Sequence, residues 1–189
     1  MKNILTTSLF LLFAAMIHGQ AGIQLYTGLV QGANRDMNVT PSKMHHNGYT
    51  IGADVLLNEG NMYLILGGQY ARMGFMPDEE QQYFSHDLDM QWFKLRTGLG
   101  FTLVQAGDNF RISAKTIGII NVISNYPENH LPQPYNQFNS ATAAAAGALG
   151  IEYQKFGVFL EYEHGFFNAV NKVKGTEFDF LSLYLSFKI

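Results

Sequence analysis

Hydrophobic and polar residues alternate through most of this chain with a period of two. The last nine residues give the cleanest case: Leu181, Leu183, Leu185, Phe187 and Ile189 are apolar, while Ser182, Tyr184, Ser186 and Lys188 alternate with them. A strand sends successive side chains to opposite faces, so such a segment has one oily and one polar face. Soluble sheets share this property, and the pattern alone does not fix the class.

The same reading gives seven more strands. The first spans about 22–30, with Ile23, Leu25, Thr27 and Leu29 on one face and Gln24, Tyr26 and Gly28 on the other. The second spans about 48–57, with Tyr49, Ile51, Ala53, Val55 and Leu57 opposite Thr50, Gly52 and Asp54. The third, about 62–74, is weaker: Leu64, Leu66 and Tyr70 lie opposite Ile65 and Gln69. In the fourth, about 89–104, Phe93, Leu95, Thr97, Leu99, Phe101 and Leu103 oppose Trp92, Lys94, Arg96, Gly98, Gly100 and Thr102. The fifth, about 110–123, sets Ile112, Ala114, Thr116, Ile120 and Val122 against Arg111, Ser113, Lys115 and Asn121; Ile117 and Ile119 break its alternation. The sixth, about 141–153, sets Leu149, Ile151 and Tyr153 against Ala146, Ala148, Gly150 and Glu152. Its alanine run could form a helix, but Gly147 and Gly150 would each weaken one by about 1 kcal/mol. The seventh, about 156–164, sets Val158, Leu160 and Tyr162 against Phe159, Glu161 and Glu163.

The connections alternate in length. Tight turns follow the second, fourth and sixth strands: Asn58-Glu59-Gly60-Asn61, where Gly60 would supply a positive φ, Gln105 to Asn109, and Gln154-Lys155. Long polar connections, at about 31–47, 75–88, 124–140 and 165–176, follow the first, third, fifth and seventh. Outer-membrane barrels combine short periplasmic turns with long external loops, and an even strand number leaves both termini on the periplasmic side.

A separate signal stands at the N-terminus. Lys2 and Asn3 precede an apolar stretch from Ile4 to Ile17, and Gly19 and Ala21 are small. This reads as a secretory signal peptide, residues 1–19, cleaved after 19 or 21, followed by one domain over 20–189. Twelve Lys+Arg less Lys2 leaves eleven against fifteen Asp+Glu, so the mature chain carries −4. That is not the basic surface that nucleic acid requires. The chain has no cysteine, which rules out disulfides and a lipidated cysteine after the signal.

Charge placement turns this pattern into a membrane reading. Asp54, Lys94, Arg96, Arg111, Lys115, Glu152, Glu161 and Glu163 all fall on the polar faces. A Lys or Arg facing lipid near the midplane costs about 2–4 kcal/mol, so the eight should form a charge network inside a closed barrel. Closure also satisfies every backbone group in hydrocarbon. Eight strands enclose a space just filled by side chains, here Trp92, Tyr26, Tyr184, Phe159 and the charges, so no open pore is expected. Phe101, Phe110, Tyr153, Phe156 and Phe187 fall toward the short turns and Tyr49, Tyr70, Phe93 and Tyr162 toward the long loops, as two interfacial girdles would.

The signal, the eight two-faced strands, the one-sided tight turns and the ending Leu-Tyr-Leu-Ser-Phe-Lys-Ile make the mature chain resemble the OmpA/OmpX-type small outer-membrane barrels of Gram-negative bacteria. The last residue is Ile189 rather than an aromatic, with Phe187 two places earlier. The resemblance implies an all-β, eight-stranded, antiparallel up-and-down transmembrane β-barrel in the outer membrane. It also implies insertion by the barrel-assembly machinery, which reads the last strand. Lipid and an extracellular ligand or protein at the loops are then the partners.

Chemistry is sparse. His45 and His46 with Met44, His86 and His130 lie on loops without metal-ligand spacing, so no metal or cofactor is expected. Ser85, His86 and Asp87 are sequence neighbours, which makes no triad, and no G-x-S-x-G elbow occurs, so no enzyme is expected. Asn38-Val39-Thr40 fits a glycosylation pattern that a bacterial chain would not use. Tyr135 and Phe138, in and just after the proline-rich segment Tyr126 to Tyr135, could touch a partner. The expected function is structural or surface interaction through the external loops. The alternatives are a narrow channel for small solutes and a soluble lipocalin-type barrel whose apolar face lines the cavity.

Overall fold

The computed structural model describes residues 21–34, 46–58, 60–75, 88–125, 139–168 and 177–189. Eight antiparallel strands close into one barrel in chain order: β1 (Ala21–Asn34), β2 (His46–Leu57), β3 (Met62–Phe75), β4 (Leu88–Ala106), β5 (Phe110–Asn125), β6 (Ala141–Tyr153), β7 (Phe156–Gly165) and β8 (Phe178–Lys188). The eight expected strands are all present, and most run longer than the alternation indicated. β1 continues four residues past Val30, and β8 starts at Phe178 rather than Leu181. Ladder pairing carries a strand past its amphipathic stretch, because each added residue still exchanges backbone hydrogen bonds with a neighbour. The alanine run of β6 is strand, paired to β5 from Ala141 onward.

Closure joins β1 to β8, with Gln24 opposite Lys188 and Leu29 opposite Leu183. Ile189 N–H donates to Ile23 O (2.9 Å) and Lys188 N–H to Lys155 O (2.8 Å), tying the C-terminus to the tight-turn end. Two register shifts, at Gln91/Trp92 and Thr102/Val104, mark irregularities between β4 and β5, where an extra residue increases local twist. Among the described residues, those with left-handed backbone in the tight turns are Asn58 (φ 61°), Gly107 (φ 63°) and Gln154 (φ 53°). Asn58 thus has that conformation in the turn for which the sequence suggests Gly60; asparagine tolerates it better than most side chains do.

The faces separate cleanly. Leu29, Leu95, Leu149, Leu160, Leu183 and Leu185 are exposed on the outside. Among the described residues, no Asp, Glu, Lys or Arg projects outward over 23–29, 49–57, 62–70, 93–103, 112–122, 141–153, 156–162 or 181–187. Outward aromatics flank this belt: Phe156 packs on Phe187 at 5.1 Å near the tight turns, and the half-buried Tyr70 on Phe93 at 5.3 Å near the long connections. Phe93 and Phe101 lie eight residues apart on β4. At about 3.3 Å per residue and a tilt of about 40°, that is about 20 Å along the axis, close to the about 25 Å apolar band of such barrels.

The interior holds three apolar groups as well as charge. Val30, Met73, Met90, Trp92, Ile123 and Phe180 fill the long-connection end. Leu56, Tyr63, Ile65, Ile117, Ile119, Ala144 and Ala146 form a second group, and Tyr26, Ala148, Phe159 and Tyr184 a third. Ile117 and Ile119 do not interrupt the alternation of β5. Both are buried on the same face as Lys115 and Asn121, where the lumen itself is locally apolar. Facing glycines make room for the large rings. Gly52 stands opposite Tyr26, Gly100 opposite Tyr63, Gly150 opposite Phe159 and Gly28 opposite Tyr184. A Cβ at any of these glycines would collide with the side chain or backbone across the ladder. The lipocalin-type arrangement is reversed here, since the continuous apolar face is outside and the charges are within.

Candidate functional site: the charged lumen

Seven of the eight expected lumen charges are buried: Asp54, Lys94, Arg96, Lys115, Glu152, Glu161 and Glu163. Arg111 is half-buried near the tight-turn end, opposite Glu152 across β5 and β6, and no ion pair joins it to the others among the described residues. The strand period explains the grouping, because residues of one parity from neighbouring strands meet inside the cylinder.

The centre is Arg96 of β4. Its Nη1 donates to Glu161 Oε1 (2.9 Å) and its Nη2 to Glu161 Oε2 (2.7 Å), a bidentate pair spanning the lumen from β4 to β7. Nη1 also donates to Gln69 Oε1 (2.7 Å), and Nε stands 3.6 Å from Asp54 Oδ1. Gln69 in turn donates to Thr50 Oγ1 (2.6 Å), whose hydroxyl donates to Tyr70 O (3.0 Å). Tyr26 and Tyr184 hydroxyls approach Asp54 and Glu161 at 3.4 Å. Planar bidentate geometry and extra hydrogen bonds are what make burial of such a pair tolerable.

Toward the long connections, Lys94 Nζ meets Glu163 Oε2 at 2.5 Å while lying 3.9 Å over the Phe180 ring, and Asn121 Nδ2 donates to the other Glu163 oxygen (2.8 Å). Toward the tight turns, Lys115 Nζ donates to Gln24 Oε1 (2.6 Å) and sits 4.1 Å over Phe159; Gln24 donates to Ser186 Oγ (3.0 Å). Lys115 therefore rests on an amide and a ring rather than a carboxylate. Glu152 accepts from Ser113 (2.5 Å) and pairs with Lys188 (2.7 Å).

Lys188 was absent from the charge set drawn from the sequence, although it sits on the polar face of the last strand. With it, the lumen holds four acids (Asp54, Glu152, Glu161, Glu163) and four bases (Lys94, Arg96, Lys115, Lys188). The same-face rule applied through to the end of β8 would have found it. The neutral linkers Gln24, Gln69, Ser113 and Asn121 carry no sequence signal beyond their parity.

No group of three or more metal-ligating side chains occurs among the described residues. His46 begins β2; Met44, His45, His86, His130, the Ser85-His86-Asp87 run, Tyr135, Phe138, the Asn38 motif and the N-terminal segment lie outside the described residues.

A closed antiparallel cylinder, oily outside and charge-paired inside, defines a class: the chain has the fold of the small eight-stranded outer-membrane barrels. Solved structures similar to it include these two. One is Neisserial surface protein A, at 11% identity and a TM-score of 0.56, covering 90% of this chain and 97% of the other. The second is the attachment invasion locus protein of Yersinia pestis, at 12% identity and a TM-score of 0.51, covering 90% and 99%. At these identities the likeness is one of fold. No family model and no curated protein matches the sequence.

Proposed function

We propose that this protein is an outer-membrane barrel that anchors its long loops at the cell surface, where they meet an external ligand or protein. It carries no open pore and no catalytic centre. One observation carries this reading: the separation of faces. An uncharged, leucine-rich belt surrounds a lumen that holds the ionised groups, most of them in ion pairs. In water the opposite sidedness is favoured, because exposed apolar area costs about 25 cal/mol per Å². In a bilayer the observed sidedness is the stable one.

Supporting the sealed lumen, Trp92, Phe180, Met73 and Met90 fill one end, and paired charges fill the middle. On this reading residues 1–19 act as a signal peptide, cleaved after 19 or 21. The barrel-assembly machinery inserts the mature chain, and lipid is its permanent partner. Expression in a Gram-negative cell followed by membrane fractionation tests the location: the protein should remain with the outer membrane until detergent is added. Recovery as a detergent-independent periplasmic protein would overturn it. Planar-bilayer recording tests the seal, and steady single-channel openings would replace it with the narrow-channel reading.

A further inference from the structure

The outer face of β7 does not end at its girdle residue Tyr162. His164 follows two residues later on the same face, about 5 Å higher along the axis for a strand tilted by about 40°. Its ring lies 6.5 Å from Tyr162 and 5.6 Å, edge-on, from Phe166 just past the strand end. Phe166 and Phe167 are 55% and 60% exposed. This staircase of rings is held in place. Phe166 N–H donates to Ala143 O (2.9 Å), and Asn139 Nδ2 donates to Asn168 O (2.7 Å), fixing the segment against β6 and the chain before it. Polar groups accompany the rings: Asp179 of β8 accepts from Tyr162 OH (3.0 Å) and lies 3.3 Å from His164 Nδ1. Across the barrel the outward face differs. There Arg72, opposite Tyr49 and Gln91, follows directly on the rings of Tyr70 and Phe93.

Aromatic rings mixed with hydrogen-bonded polar groups suit the zone between headgroups and acyl chains, and suit neither bulk water nor hydrocarbon. We infer that Phe166 and Phe167, with Tyr162, His164 and Asp179, form a lipid-docking foot that rests the start of the β7–β8 connection in the outer interfacial layer. The occupant is lipid because the foot continues the outward face of β7, through Tyr162 and His164 to the exposed rings just past the strand end, from the belt proposed above to meet lipid. The inference therefore rests on that membrane reading.

The chain has no native cysteine, so single-cysteine nitroxide labelling needs no background substitutions. Phe167→Cys, Phe166→Cys and the mid-belt control Leu183→Cys are labelled in the full mature chain folded in phosphatidylcholine vesicles. Their relaxation is compared with lipid-soluble oxygen and with water-soluble nickel chelate. The foot predicts that oxygen outweighs the chelate at 167 and 166, less strongly than at 183. Chelate outweighing oxygen at 167 and 166 while 183 stays lipid-like overturns the foot alone, and would leave the exposed rings to a protein partner. Chelate-dominated relaxation at 183 as well overturns the membrane reading beneath it. The use of two foot positions guards against one label disturbing its own site.

Discussion

Arg96 and Glu161 face each other across the barrel axis as a two-pronged ion pair, Nη1 to Oε1 at 2.9 Å and Nη2 to Oε2 at 2.7 Å, both side chains fully enclosed. Removing one partner strands the other charge, a loss of about 3–5 kcal/mol for buried pairs. Glu161→Ala should therefore lower unfolding stability in detergent or vesicles by that order, measured by urea titration. The double change Arg96→Met with Glu161→Leu should cost less than the sum of the two single changes, because neither member of the pair then faces a missing partner, although Asp54, 3.6 Å from Arg96 Nε, still loses its cation. A double variant worse than the sum of its singles would contradict the pairing.

Lys188 and Glu152 form a second pair, nearer the tight-turn end, with Lys188 partly reached by solvent. Lys188→Met should destabilise less than Glu161→Ala, since water can reach the Glu152 end of the lumen. Equal losses in the same titration would count against this gradient of burial.

Gly150 and Gly147 sit three residues apart on β6 with opposite surroundings. A Cβ at Gly150 would run into the Phe159 ring, whereas one at Gly147 meets nothing within 4 Å. Overpacking of this kind costs about 1–3 kcal/mol, so Gly150→Ala should destabilise while Gly147→Ala should be close to neutral. The difference between their urea midpoints is the readout.

Leu149 and Leu183 stand on the outer belt and are 61% and 51% exposed. Arginine at either position should lower stability in phospholipid vesicles by about 2–4 kcal/mol if the site lies near the midplane. In a water-soluble barrel the same change would be almost free. Stability unaffected by Leu183→Arg in vesicles would contradict the lipid-facing assignment.

Much of this was legible in the sequence because a period of two survives whenever the two faces meet different media. β4 and β8 read directly for that reason. β3 read weakly, since Gly67 and Gly68 leave little contrast between faces, and β5 misled because Ile117 and Ile119 are apolar residues in the lumen. Strand alternation reports direction, and chemistry reports direction only where the lumen is polar. The charge set was visible as parity, yet which acid meets which base was not. Arg96 and Glu161 are 65 residues apart, and only closure of the ladder brings them together. The ring-over-glycine packing was hidden for the same reason. Tyr26 and Gly52 become neighbours through register, which turn length and ladder pairing set together.

In the proposed membrane placement, oily side chains meet acyl chains while ionised ones occupy the lumen. The most direct measurement is a nitroxide scan along β8, one cysteine at a time from Leu181 to Phe187, in vesicles. Oxygen accessibility should rise at 181, 183, 185 and 187 and fall at 182, 184 and 186. An inverted alternation, or a scan with no period of two, would contradict the assignment.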